Sequence, residues 1–376
     1  MTCSVPALTL HDTGLEIVAA EKKPLYFNYF WLRDNCQTSF DPETRERVFD
    51  IFAEPAPPVP TRAAITDGQL NIVWAHGDHA SSYDLDWLYR HARPGPRPDP
   101  AIVPRTHWHS DYYPRMRRFS QPMLKADRSA RREWVHTLLT MGIALVTDMP
   151  AAESALEETA FLLGVPRPTF FGLYFDVNLH VNPDNLAYTA KALELHTDVP
   201  CEDLAPGVQF LHCLANTVEG GESLFVDGAA VAAELRRTHP EDFDILCETL
   251  IPFYDEHDNY DMRARQRMIE LDAQGDISGV TISQHMADIF DMDQHFLDRF
   301  YPAYCRFGRL LQDERFLMRF RLNPGECIVF DNHRIVHGRA AFVAESGTRH
   351  LRGTYTDRGE LRSAWRILSG EGRFAA

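Results

Sequence analysis

The sequence predicts a mainly β protein with peripheral helices. Its core is expected to be a barrel or a double-sheet jelly roll, preceded by a small N-terminal β-rich domain. Three observations predict this. After residue 165 the chain is mostly short apolar runs separated by turn residues. Helical periodicity is confined to a few segments. Neither GxGxxG nor a P-loop occurs, so a nucleotide-binding doubly wound fold has no anchor.

The elements follow in order. LEIVAA, RVFDIF, AAITDG and LNIVWAHG are bounded by Gly, Pro and Asp, and read as strands of a small unit at residues 1–92. SSYDLDWLYRHA closes that unit as a short helix started by serine. ARPGPRPDPAIVPR follows. Proline at this density favours extended chain, so residues 93–118 are expected to be a linker to a larger domain at 119–376. In that domain, residues 127–141 are helical, with Trp134, Leu138 and Met141 on one stripe. Gly142 breaks the pattern, and IALVTDMP reads as a buried strand. AAESALEETAFLLG is a second helix ending at Gly164, taken as its C′ glycine. Further helices are expected near 228–238, 239–248 and 293–311.

Bulk properties exclude several functions. The chain has 376 residues, 44% apolar and 24% charged, with a net charge of −16. A general nucleic-acid binder needs a basic surface, so that class is excluded. A basic pocket for a small anion is not, because local and net charge differ. No apolar run approaches the ~20 residues of a membrane helix, so no membrane partner is expected. MTCSVPALTLHDTG lacks the basic start and apolar core of a secretion signal. The seven cysteines are scattered, without a CxxC pair, as reduced thiols of a cytoplasmic protein would be.

The chemistry concentrates in three places. ELHTDVP puts His196 and Asp198 two residues apart, so that on extended chain both point to one side. HxD alone occurs by chance. A histidine from a later strand would complete the two-His, one-carboxylate triad of non-haem Fe(II) oxygenases, which leaves positions open for co-substrate and O2. FDNHRIVHGR offers His333 or His337. On a strand, residues four apart lie ~13 Å from each other, so only one of them can reach a given metal. Finally, in RHLRGTY the alternation places Arg349, Leu351, Gly353 and Tyr355 on one face. An inward Arg349 could take a carboxylate in bidentate fashion.

Six runs in order resemble the γ-butyrobetaine hydroxylase family of Fe(II)/2-oxoglutarate oxygenases. They are NLAYTAKALELHTDVP, APGVQFLHCL, EGGESLFVDG, MIELDAQG, LNPGECIVFDNHRIVHGRAAF and RHLRGTYTDRGEL, and WLRDNC adds to them in the small domain. The resemblance implies a double-stranded β-helix (jelly roll) and, often, a homodimer. It implies Fe(II), with 2-oxoglutarate as co-substrate, O2, and ascorbate as a stimulant. It assigns His196, Asp198 and His337 to iron, His337 being the histidine of the family's DNxRxxHGR pattern. Arg349 and Ser223 would hold 2-oxoglutarate. Phe171, Phe175, Tyr188 and Tyr355 would form an aromatic cage for a trimethylammonium group, and Asn185 would bind the substrate's anionic end. Phe170 and Phe210 are assigned to core packing.

The chain departs from the family in three respects. Val199 stands where animal members carry an aromatic residue after the HxD aspartate. Two cage positions are Phe where Tyr or Trp is expected. The family's structural zinc site retains only Cys36 and His79, with Asp34, Asp41 and His76 as poor substitutes, so no zinc is expected. The reaction implied is hydroxylation of an unactivated C–H of a small trimethylammonium zwitterion, with release of succinate and CO2. The substrate would be γ-butyrobetaine-like, with 2-trimethylaminoethylphosphonate as a candidate. His180, Gln284 and His285, or Arg263, Arg265 and Arg267 from a mobile-looking segment, would supply donors for a phosphonate. The alternatives are a zinc hydrolase on the same ligands and a non-catalytic betaine-binding jelly roll.

Overall fold

Alternation shapes the first strands: Gln69–Trp74 buries Leu70, Ile72 and Trp74 and exposes the residues between them. The computed structural model describes residues 6–19, 23–77, 79–95, 97–179 and 186–370. The chain forms two compact units, Met1–Arg97 and Pro98–Ala376.

The first unit contains two three-stranded antiparallel sheets. One is Ala7–Leu10, Gly14–Val18 and Leu25–Asn28; the other is Pro60–Thr66, Gln69–Trp74 and Ala80–Asp84. Leu15, Ile17, Phe27, Leu70, Trp74 and Leu88 share its core. The helix Leu85–His91 is capped by Asp84, whose carboxylate accepts from Trp87 N at 2.8 Å, and not by serine. Ser81 instead lies in the strand and accepts from the Trp74 indole. RVFDIF is not a strand: Asp50 accepts from Phe52 N and turns the chain into a short 3-10 segment, Ile51–Ala53. Cys36 and His79 meet through Thr38, whose hydroxyl lies 3.2 Å from the Cys36 sulfur and 3.4 Å from His79 Nε2.

The second unit is a jelly roll of two facing sheets. The larger runs in the order Phe175–Val177, Arg349–Thr356, Val208–Asn216, Cys327–Asp331, Ile143–Thr147 and Arg118–Ser120, with Pro166–Arg167 paired to Arg349–Thr356. The smaller runs Leu193–His196, Ile335–Arg339, Ser223–Asp227 and Met318–Phe320. Phe225, Phe330, Leu145, Leu211 and Leu351 fill part of the space around which they pack. Trp134, Leu138, Val208, Phe210 and Trp365 form another core, which unites helix Arg128–Met141 and the C-terminal helix Arg358–Ser369 with the larger sheet. Helices Gly228–Thr238, Pro240–Glu248 and Gln294–Leu311 contribute to a third.

Several expectations are corrected here. From Pro98 onward the presumed linker belongs to the second unit, where Trp108, Tyr112 and Met116 are buried. Helix Glu153–Phe161 stops before Gly164, which lacks a positive φ. A Cβ at Gly164 would lie 2.2 Å from the Glu360 carboxylate, so its glycine serves close packing. Gly142, at φ 75°, ends helix Arg128–Met141 in the left-handed region. YDMRARQRM is an ordered hairpin strand, Tyr260–Arg267, paired with Leu250–His257. Among the described residues no helix is long and apolar enough to cross a membrane.

His212 is fully buried, and neither ring nitrogen has a partner among the described residues. Burial pushes its pKa down to about 4. The unfolded chain therefore binds the extra proton first, and the stability associated with neutral His212 is lost as pH falls from about 6.5 towards about 4. Urea unfolding at pH 7.5 and pH 5 should show up to about 2 kcal/mol of this loss, and His212→Phe should flatten it. An equal pH dependence in the variant would assign the effect elsewhere.

Candidate active site

One antiparallel pairing makes the site. Leu193–His196 lies against Ile335–Arg339 with His196 opposite His337. The chain then leaves the strand and brings Asp198 to both. Asp198 Oδ1 lies 3.0 Å from His196 Nε2 and 3.6 Å from His337 Nε2. Among the described residues these three form the only His/Cys/Asp/Glu group whose ligand atoms converge, all within 4.8 Å. His333 sits in the turn between strands Cys327–Asp331 and Ile335–Arg339, with Nε2 3.0 Å from Ala205 O. It is engaged there and is not among the residues that line the cavity or form the triad.

The electrostatics suit a cation. Burial pushes His337 down to about 3, helped by His196, which keeps its imidazole neutral and able to ligate. Burial opposes ionisation of Asp198, but His337, His196 and the Tyr355 hydroxyl outweigh it and hold the carboxyl well below the usual range. His196 Nδ1 lies 2.8 Å from Glu194 O; a hydrogen bond donated there leaves Nε2 free towards Asp198. Two imidazoles and one carboxylate fit a divalent iron.

The cavity beside the triad is lined by Phe171, Phe175, Tyr188, Val199, Ser223, Arg349 and Tyr355. The structure thus brings the sequence-predicted site residues together, except Asn185, which lies outside the described residues, as does His180. Arg349 is buried, and no acceptor reaches it among the described residues; its Nε is orphaned. Burial and the nearby Arg339 push its pKa down to about 10. A buried guanidinium without a counter-ion is costly, and a carboxylate of 2-oxoglutarate would satisfy it. Arg339 has its own partners, donating to the carbonyls of Ala187, Thr189 and Lys191.

Sequence reasoning missed several features. Phe175 and Tyr355 stack at 5.1 Å, but the Tyr355 hydroxyl is committed to Asp198 Oδ2 at 2.6 Å, so Tyr355 is more than a wall. Gln209 lines the cavity, is buried, and has an unpartnered Oε1; a polar residue inside the apolar run VQFLHCL was its signal. His285, which the sequence did offer as a donor, also lines it, 4.9 Å from the His196 ring, and burial pushes it down to about 4. Arg263 and Arg265 do not line it: they are exposed and paired with Asp261, Glu256 and Asp291. Phe210 is buried in the core, and Phe170 packs on Phe171 and Tyr260.

Residues 102–355 match the family model of the taurine catabolism dioxygenase TauD, TfdA family. The γ-butyrobetaine dioxygenase of Pseudomonas sp. (strain AK-1) is 34% identical over 95% of this chain and 94% of its own. The chain belongs to this dioxygenase family. The human γ-butyrobetaine dioxygenase is 29% identical over 98% of both chains, and a trimethyllysine dioxygenase of Meyerozyma guilliermondii 27% over 91% and 90%. A solved structure, AAD-2 in complex with Mn(II) and N-oxalylglycine, shares the fold, with a TM-score of 0.50 and 13% identity over 61% of this chain and 89% of that one. The protein is a 2-oxoglutarate-dependent dioxygenase that uses Fe(II) and O2. Its triad and Arg349 are chemically suited to those groups.

Removing a ligand and removing a neighbour should differ in scale. His337→Ala should weaken Fe(II) or Mn(II) binding beyond the roughly 100-fold ceiling of an outer contact. His333→Ala should stay below roughly 10-fold. Metal titration of both variants checks this, and comparable losses would overturn the ligand choice.

Proposed function

We propose that this dioxygenase hydroxylates an unactivated C–H of a small trimethylammonium zwitterion. The observation that carries the reading is the aromatic wall beside the triad, Phe171, Phe175, Tyr188 and Tyr355, in a cavity that also holds the orphaned Arg349. Aromatic faces attract a quaternary ammonium through the ring quadrupole, by ~0.5–2 kcal/mol for a well-placed ring. The related γ-butyrobetaine and trimethyllysine dioxygenases are named for substrates of this kind.

In this reading His196, Asp198 and His337 hold the iron, and Arg349 with Ser223 holds the distal carboxylate of 2-oxoglutarate. Iron held there would supply the chemistry that couples oxidative decarboxylation of 2-oxoglutarate by O2 to substrate hydroxylation, with succinate and CO2 as co-products. The chain's own work is orientation. The aromatic wall takes the cation, donors at the other end take the anion, and the two contacts select which C–H faces the metal. The apolar lining, including Val199, Leu211 and Phe225, excludes water from the reacting centre.

The anionic end decides the substrate. γ-Butyrobetaine is the first candidate, and 2-trimethylaminoethylphosphonate the second. The phosphonate draws support from His285 and Gln209, which add polar groups to the cavity. A homodimer in a reducing cytoplasm completes the proposal, and the six described cysteines are all free thiols.

Succinate release should rise above the substrate-free background with γ-butyrobetaine, 2-trimethylaminoethylphosphonate or trimethyllysine. No stimulation by any of the three would sink the trimethylammonium reading. Arg349→Ala should raise the KM for 2-oxoglutarate roughly 10- to 150-fold, the worth of a charged hydrogen bond, and leave metal affinity near wild type. An unchanged KM would show that another group holds the co-substrate.

A further inference from the structure

Asp198 is held at both ends. At the backbone, Asp198 N–H donates to Asn332 Oδ1 at 2.8 Å, and Asn332 Nδ2 donates back to Asp198 O at 3.0 Å. A second hydrogen bond from Nδ2 reaches Pro206 O at 3.0 Å, so this buried amide clasps the segment on both sides. At the carboxylate, the two oxygens are treated differently. Oδ1 faces the histidines, whereas Oδ2 accepts the Tyr355 hydroxyl at 2.6 Å. The next residue, Val199, is left at φ 56°, a conformation that a β-branched side chain avoids. Its side chain is nevertheless buried, so the clasp and the packing hold it there together.

We propose that Tyr355 and Asn332 are positioning residues that fix Asp198 as a one-oxygen metal ligand, with Oδ1 offered and Oδ2 withheld. The inference rests on the triad being the metal site. Its chemical consequence is a matter of counting. Three protein atoms on a six-coordinate metal leave three positions for two co-substrate atoms and O2. A carboxylate that swung Oδ2 onto the metal would take one of those positions. To do so it would break the Tyr355 hydrogen bond and strand a buried hydroxyl, which is unfavourable. Tyr355 also stacks on Phe175 in the cavity wall, so the ring offered to substrate and the hydroxyl that restrains the ligand belong to one side chain.

Mn(II) affinity of the metal-free enzyme, followed by electron paramagnetic resonance, tests the brace without using turnover. Tyr355→Phe keeps the ring and removes only the hydroxyl. It should weaken Mn(II) binding roughly 10- to 100-fold, as loss of an outer-shell partner does, while the metal-free protein melts as wild type. Asn332→Ala should weaken binding in the same range. Adding Val199→Gly to it should recover part of that loss, because glycine takes this φ without being held. Wild-type affinity in both Tyr355→Phe and Asn332→Ala, with binding lost in His337→Ala, would overturn the brace and leave the metal site standing. Wild-type affinity in His337→Ala would overturn the metal-site reading itself. Should Asn332→Ala fail to fold, Tyr355→Phe alone decides. No recovery on adding Val199→Gly would reduce Asn332 to a packing role and overturn its half of the proposal.

Discussion

The site depends on the pairing of Leu193–His196 with Ile335–Arg339. It joins segments about 140 residues apart and sets His196 opposite His337. A slip of one residue would turn His337 to the other face of the sheet. The register is secured from both ends. Arg339 donates to three carbonyls of the chain leading into the first strand. The turn at the other end is anchored by Arg334, whose guanidinium makes two hydrogen bonds to the Asp227 carboxylate at 3.0 Å and 2.7 Å. Close backbone approach matters too: a Cβ at Gly338 would lie 2.6 Å from Leu193 O.

The Arg334–Asp227 pair is almost completely buried, and such pairs are weak sources of net stability. Its value here is connection. Asp227 also caps helix Gly228–Thr238 and accepts from Trp108 N, while Arg334 donates to Thr106 O and Thr140 O. One ion pair therefore ties a strand, a helix, a turn and the chain entering the second unit. With every guanidinium nitrogen and both carboxylate oxygens hydrogen-bonded, much of the desolvation cost is offset. Breaking one partner would leave an uncompensated charge in the interior. FDNHRIVHGR thus carries a different job on almost every polar residue: Asp331 pairs with Arg358, Asn332 clasps Asp198, His333 closes on Ala205, Arg334 anchors, and His337 faces the triad.

Much of this was legible in the sequence, for physical reasons. Alternation in RHLRGTY follows from the strand period, and the structure places Arg349, Leu351 and Tyr355 on the cavity; HxD was legible by its spacing, although Asp198 reaches the site from beyond the strand's end. The long helices showed their periodicity. What escaped were side-chain contacts between distant segments. Nothing local tells that Tyr355 bonds Asp198 across 157 positions, or that Asn332 reaches back 134. RVFDIF was misread because one aspartate capping a turn outweighs an apolar pattern. Gly164 was misread because close packing and left-handed backbone both select glycine, and sequence alone cannot separate them.

The cavity gathers opposite demands within a chain of strongly negative charge. One end keeps an arginine buried without a counter-ion among the described residues, a cost that a bound anion would return. The other end is built of rings with no carboxylate other than Asp198 among the lining residues. Asp198 is itself engaged by two histidines at Oδ1 and by the Tyr355 hydroxyl at Oδ2, so both of its oxygens are already committed. A cationic substrate would thereby be drawn by ring quadrupoles and not by a salt bridge. That distinction matters for chemistry, because a free carboxylate beside the rings would draw the ammonium group to itself and change which C–H faces the metal.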